Sequence, residues 1–301
     1  PFSSEHPGLM HACGHDSHAA MLLGAAKLLW DMRAEIPGTI RLLFQPAEET
    51  DGGAEPMIAA GAMRGVDAVY GLHVAGQAPT GRIATRPGPM YAACDQLHIR
   101  VKGVSGHGAH PQSGVDAILI AAQMIVGLQT LVSREIEAVD SAVVTIGIIG
   151  GGTANNILCD EVKMVGTLRT LTPEMRAFFH KRIPEFCQDL ARAYRGQAEV
   201  EIRRGYCACI NDADEAARVR RVAESLFGEE NFKPLHTSSM GGEDFAYYLL
   251  EAPGAIYHVG SGSECGLHNE RFSLNEDCLP YGVTMHAAVA LSYLTENQYT
   301  K

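Results

Sequence analysis

The sequence is short of positive charge: 24 lysines and arginines stand against 35 aspartates and glutamates, a formal net charge of −11. Nucleic acid and anionic membrane both select clustered Lys and Arg, and no basic stripe is present, so neither is expected as a partner. Long apolar runs are also missing. The stretch Ile118–Leu128 is interrupted by Gln123 and falls short of a bilayer span, and no signal-like segment opens the sequence. The first residue is Pro1 and not Met, so the natural protein is expected to begin upstream. What is present argues for folded domains, because 301 residues at 46% hydrophobic and 20% charged content suffice for one large or two medium cores. Eight cysteines, at 13, 94, 159, 187, 207, 209, 265 and 278, are scattered through a chain too long and apolar to need a disulfide framework. A reducing compartment, and hence a cytoplasmic location, is the expectation.

One thiol, three imidazoles and a carboxylate crowd into Met10-His11-Ala12-Cys13-Gly14-His15-Asp16-Ser17-His18. Thiolate and neutral imidazole are both strong ligands for divalent transition metals, and Cys13 and His15 at i and i+2 share one side of an extended backbone. The following run, Ala19 to Trp30, is helical by composition, which places the pair in a strand-to-helix loop capped by Asp16 or Ser17. An isolated Cys-x-His is more often a small buried hydrophobe beside an ordinary histidine, so the pair needs company to carry weight.

After that helix, Thr39–Phe44 reads as a strand that ends in Gln45-Pro46-Ala47-Glu48-Glu49, and Val66–Val74 reads as a second buried strand carrying His73. This βαβ alternation predicts an α/β fold, its sheet mixed but mostly parallel and flanked by helices, with functional groups at the carboxyl ends of the strands. Turn residues between Gln77 and Pro89 mark a boundary. Beyond it come a strand at Cys94–Val101, a helix from Val115 to about Leu131, strands at Ser141–Ile149 and Glu161–Arg169, a helix from Pro173 to about Tyr194 and a strand at Ala198–Arg203. That order predicts an inserted α+β (βαββαβ) domain over 91–203 with one open sheet face, set into a first domain of 1–90 and 204–301. The final section is expected to hold a helix over Asp212–Phe227, a strand at Ala255–Val259 and a closing helix around Val283–Leu294.

Taken together, the motifs resemble the co-catalytic di-metal amidohydrolases, the family of aminoacylase, hippurate hydrolase and auxin-conjugate hydrolases. The resemblance is carried by His11-Ala12-Cys13-Gly14-His15-Asp16, Gln45-Pro46-Ala47-Glu48-Glu49, Gly71-Leu72-His73, Gly106-His107-Gly108-Ala109-His110-Pro111, Gly151 to Asn156, Gly166-Thr167-Leu168-Arg169, Gly242-Glu243-Asp244-Phe245 and Leu267-His268-Asn269. Each motif alone is weak, whereas their shared order and spacing are specific, and Cys13 points to the hippurate hydrolase and auxin-conjugate hydrolase branch. The family's upstream Asp-Ala-Leu-Pro stretch has no counterpart in these residues, so the catalytic sheet is expected to lack its first strands.

The resemblance implies metal ligation by Cys13, His15, Glu49, His73 and His268, with two divalent ions per subunit, Zn²⁺ or Mn²⁺, and the thiolate bridging them. It implies that Glu48 is the general acid/base. The two neighbouring glutamates are expected to work apart because adjacent side chains on extended backbone point in opposite directions. It further implies that His107 polarises the scissile carbonyl, reaching over the site of the other subunit in a homodimer formed through the inserted domain. Asn156 and Arg169 fall at positions that bind substrate, and His110, Glu243 and Asp244 are read as turn-forming, helix-capping or supporting groups. The implied reaction is hydrolysis of the amide of an N-acyl amino acid, N-acetyl or N-benzoyl, or of a small dipeptide-like molecule. Two other readings stay open at this stage: a metal-holding dimer without turnover, and a hydrolase using the Cys13 thiol as nucleophile.

Overall fold

The structure is a computed structural model and describes residues 4–296. The chain divides into two compact units, one of Pro1–Met90, Ile210–Thr237 and Asp244–Lys301, the other of Tyr91–Cys209 and Ser238–Glu243.

In the first unit a four-stranded sheet runs Val69–Ala75, Gly254–Gly260, Ile83–Thr85, Phe232–Pro234 in spatial order. The first two strands are parallel, as are the last two, and the middle pairing is antiparallel. The sheet is therefore mixed. Gly254–Gly260 is buried over nearly its whole length, which is why its sequence, apart from His258, is apolar and does not alternate. The helices His15–Asp31, Ala213–Phe227 and Leu279–Glu296 pack with it around Met21, Tyr257, Val219, Met285 and Val289. Asp212 starts the second of these helices by accepting from the amides of Asp214 and Glu215 at 2.9 and 3.0 Å.

Two local expectations are corrected here, and two short strands went unread. Thr39–Phe44 forms no strand, since no neighbouring strand lies beside it among the described residues and a strand exists only through its ladder; Leu43 instead packs with Ala54 and Met63. The three-residue strands Ile83–Thr85 and Phe232–Pro234 are too short to show a period in the sequence. The first helix begins at His15, its N-cap is Gly14 with φ of 77°, and neither Asp16 nor Ser17 caps it; the Ser17 hydroxyl donates to the Gly14 carbonyl at 2.5 Å.

The second unit is an antiparallel sheet in the order Ala142–Gly151, Glu161–Thr170, Ala93–Lys102, Gln197–Arg203. Buried and exposed residues alternate along Ala93–Lys102, so one face meets the helices Ala117–Arg134 and Pro173–Ala193 while the other stays open. Ala117–Arg134 is long and apolar enough by composition to cross a membrane, yet Ile120, Met124, Leu128 and Leu131 are spent on the core of this unit. Residues 204–209 and 238–243 group with this unit through hydrogen bonds from Cys94 N to Tyr206 O at 3.0 Å and from Ala92 N to Gly241 O at 2.9 Å. Asp95, fully buried at its carboxylate, ties the Gly205 amide to Arg176 and His180 on the helix Pro173–Ala193.

Candidate metal centre

Four segments of the first unit converge on one cluster. The first is the turn ahead of the helix His15–Asp31. Its left-handed Gly14 separates Cys13 from His15, so the two side chains meet across a turn and not along the extended backbone that their spacing suggested. Glycine is required there twice over, because φ is positive and a Cβ would lie 2.7 Å from Val74 Cγ2.

The second segment is the acidic loop after Pro46. Ala47 has φ of 67°, and its carbonyl accepts from Thr50 N at 3.2 Å and Gly52 N at 3.0 Å, so Glu48 and Glu49 occupy a tight turn. The expectation that their side chains diverge is corrected accordingly: Glu48 Oε2 and Glu49 Oε1 each lie 3.8 Å from His15 Nε2. Asp244 anchors this loop from below by accepting from Gln45 Nε2 at 2.8 Å, Gly53 N at 2.8 Å and Ala54 N at 3.0 Å, where the helix Ala54–Ala59 begins.

His73 comes from the strand Val69–Ala75. Its Nδ1 donates to the Val74 carbonyl at 2.8 Å, which leaves Nε2 bare and 3.5 Å from Cys13 Sγ. His268 arrives on a loop with φ of 62°, pinned by its own amide to Ala12 O at 2.7 Å. Its Nε2 sits 3.1 Å from Cys13 Sγ and 3.2 Å from Glu49 Oε1. Among the described residues, two of the three non-glycine residues with positive φ thus lie at this cluster.

Within each of three groups the ligand-capable atoms fall within 4.8 Å of one another: Cys13, His15 and His73; Cys13, Glu49 and His268; His15, Glu48 and Glu49. Cys13 belongs to the first two groups, and Glu49 to the last two. One thiol, three imidazoles and two carboxylates suit borderline-soft transition ions and not the oxygen shells that Ca²⁺ and Mg²⁺ demand. Electrostatics agree with that use. Burial holds the His15 imidazole below its ordinary range and brings His73 down to about 4, so both present neutral rings. Burial first, and then the charges of Glu49 and Asp244, push the Glu48 carboxyl up to about 7. A carboxyl near neutrality is poised to take and return a proton.

His107, Asn156 and Arg169 belong to the second unit. The short strand Gly106–His107 pairs with Ile157–Leu158, and Gly108 N donates to Asn156 O at 2.7 Å, so the His107 and Asn156 loops are tied together. His107 is exposed, and its Nδ1 accepts from Ala109 N at 3.1 Å. His110 forms the turn, donating its amide to His107 O at 2.8 Å. Arg169 stands directly across the ladder from Cys94 and donates to its thiol, a contact that sequence reasoning missed because cross-strand register is invisible in it.

The sequence profile of peptidase family M20/M25/M40 matches residues 1–292. The chain belongs to this family. Like other members it is a metal-dependent hydrolase. Among the similar proteins, an IAA-amino acid hydrolase, ILR1-like 4 of Arabidopsis thaliana, is 39% identical over 302 residues, covering 97% of this chain and 68% of the relative. An N-acetyldiaminopimelate deacetylase of Halalkalibacterium halodurans is 39% identical over 287 residues, covering 94% of this chain and 76% of the relative. The crystal structure of Bacillus subtilis YXEP, described as a dinuclear metal-binding peptidase of family M20, superposes with a TM-score of 0.86 at 34% identity, covering 98% of this chain and 76% of that one.

Proposed function

We propose that this member of family M20/M25/M40 hydrolyses the amide bond of N-acyl amino acids, or of small peptide-like conjugates, with two divalent ions, Zn²⁺ or Mn²⁺. Cys13, His15, Glu49, His73 and His268 would hold them. The observation that carries the reading is that Cys13 stands in two separate three-donor groups, one with His15 and His73 and one with Glu49 and His268. A thiolate standing in both groups would serve as a ligand to either ion. When bound, such ions supply Lewis acidity toward the attacking water and the scissile carbonyl.

The remaining steps fall to the protein's own groups. Glu48 accepts a proton from the water as its oxygen bonds to the carbonyl carbon, and returns that proton to the amine nitrogen as the C–N bond breaks. His107, with Nδ1 occupied by the Ala109 amide, keeps its proton on Nε2 and is suited to donate to the developing oxyanion. Asn156 and Arg169 bind the substrate, the Arg169 guanidinium taking the carboxylate of the amino-acid half. The relatives named for hydrolysing amino-acid conjugates and N-acetyl groups support this substrate class.

Homodimerisation through the second unit fits Ile148 and Ile149, which stand exposed on the outermost strand Ala142–Gly151. None of the eight cysteines is in a disulfide, in keeping with a cytoplasmic enzyme acting on a small molecule, without nucleic acid or membrane. A thiol-nucleophile mechanism leaves Glu48 and Glu49 without work, and a metal-storing protein leaves the Glu48 carboxyl raised to about 7 without purpose. The test is hydrolysis of N-acetyl, N-benzoyl and indole-acyl amino acids before and after chelation. Activity lost with the metal and regained on reloading is expected, and activity that survives chelation overturns the reading.

A further inference from the structure

The motif Cys13-Gly14-His15-Asp16-Ser17-His18 contains an imidazole that joins none of the donor groups. We propose that His18 is a positioning residue: by accepting the Val74 N–H it clamps the end of the strand Val69–Ala75 to the loop bearing Cys13 and His15. The inference rests on the ligand assignment above and explains how three of those ligands are held in register.

Val69–Ala75 is an outer strand of its sheet, so the Val74 amide has no further strand to pair with among the described residues. It donates to His18 Nε2 at 2.9 Å, one turn into the helix that begins at His15. An N–H left bare at this depth is costly, which gives the contact its force. The same residue fixes its neighbours in two other ways. The Val74 carbonyl takes the Nδ1 proton of His73 at 2.8 Å and so aims Nε2 at Cys13 Sγ. The Val74 side chain is 1% exposed and lies against Gly14, close enough that a Cβ there would come within 2.7 Å. Amide, carbonyl and side chain of one residue thus bind the strand ligand to the loop ligands. The His18 ring completes the packing at 4.5 Å from the His73 ring and 5.3 Å from that of His15. With Nε2 engaged as acceptor, its proton sits on Nδ1, so the ring offers no lone pair to an ion.

Four variants of the full chain, His18→Phe, His18→Gln, His18→Asn and Cys13→Ser, test this with Co²⁺ as probe. Phe fills the space without an acceptor, Gln places an amide oxygen where Nε2 was, and Asn is too short to reach. The readouts are Co²⁺ affinity by chelator competition, the thiolate-to-cobalt charge-transfer band, and the thermal midpoint and circular dichroism of the metal-free protein. His18→Phe should keep the metal-free fold, bind Co²⁺ roughly 10–100-fold more weakly and show a diminished band, while His18→Gln recovers most of both. If His18→Phe does not fold, the pair Gln and Asn decides: Gln close to the parent with Asn weak supports the clamp. Parental affinity and band in His18→Phe, or no difference between Gln and Asn, overturns it. Cys13→Ser with parental affinity and an undiminished band overturns the ligand assignment, and this inference with it.

Discussion

Exchanging Glu48 for Gln changes one oxygen and removes the ability to carry a proton, and the structure says what else must follow. Glu48 lies 3.8 Å from His15 Nε2, whereas Glu49 lies 3.8 Å from His15 Nε2 and 3.2 Å from His268 Nε2. Glu48→Gln should therefore keep the metal content and substrate affinity while lowering kcat by roughly two to four orders of magnitude, about 3–5 kcal/mol on the barrier. Glu49→Gln should release metal, because a neutral amide replaces a carboxylate shared by two donor groups. A second signature appears in the metal-free protein. With its folded pKa raised to about 7 from 4.5, Glu48 stays protonated in the fold after the unfolded chain has released its proton, so stability falls as pH rises through that window. Metal-free Glu48→Gln should match the parent below pH 4.5 and melt higher than it above pH 7. The assay is parallel elemental analysis, steady-state kinetics and thermal melts across pH. Metal loss in Glu48→Gln with full occupancy in Glu49→Gln reverses the two roles, and equal activity in both refutes the mechanism.

Gly14→Ala should destabilise the protein, by about 1–2 kcal/mol for the left-handed backbone and further through the Val74 contact, and should weaken metal binding; calorimetry and chelator competition report both. His258 and His286 are held neutral by burial, their values brought down to about 4, so the unfolded chain binds more protons between that value and 6.5. Their stabilising contribution is lost as pH falls from 6.5 toward 4, and His286→Phe should flatten the acid limb of the melting curve relative to the parent. If His107 acts across a dimer, mixing His107→Ala with Glu48→Ala subunits should restore about one working site per heterodimer, and an inactive verified heterodimer refutes that arrangement.

The grouping of Cys13, His15, Glu49, His73 and His268 with Glu48 came from the resemblance to the di-metal amidohydrolases; position at loop and strand ends pointed by itself only to Cys13, His15, Glu48, Glu49 and His73. The means of convergence was not legible. Both arguments from extended backbone failed for one reason: positive φ at Gly14 and at Ala47 turns the chain inside the very motifs whose side chains were being aimed. Gly14 carried a readable signal in being glycine, whereas Ala47 carried none. The helices and longer strands announced themselves by period, while the caps Asp116, Thr172 and Asp212 became visible only in the fold. Thr39–Phe44 has the composition of a strand without the partner that would make it one. The clamp of His18 on Val74 and the grip of Asp244 on the acidic loop join residues 56 and up to 199 positions apart, a separation that only the fold closes.

The account turns on a single thiolate shared by two ions, so the decisive measurement is a Co²⁺ or Zn²⁺ titration of metal-free parent and Cys13→Ala, followed by stoichiometry and affinity. The parent should saturate at two ions per chain with a thiolate charge-transfer band in the cobalt form. Cys13→Ala should lose the band and weaken both sites together, because the residue stands in both donor groups. Two ions retained at parental affinity in Cys13→Ala would contradict the bridging role on which the proposed chemistry is built.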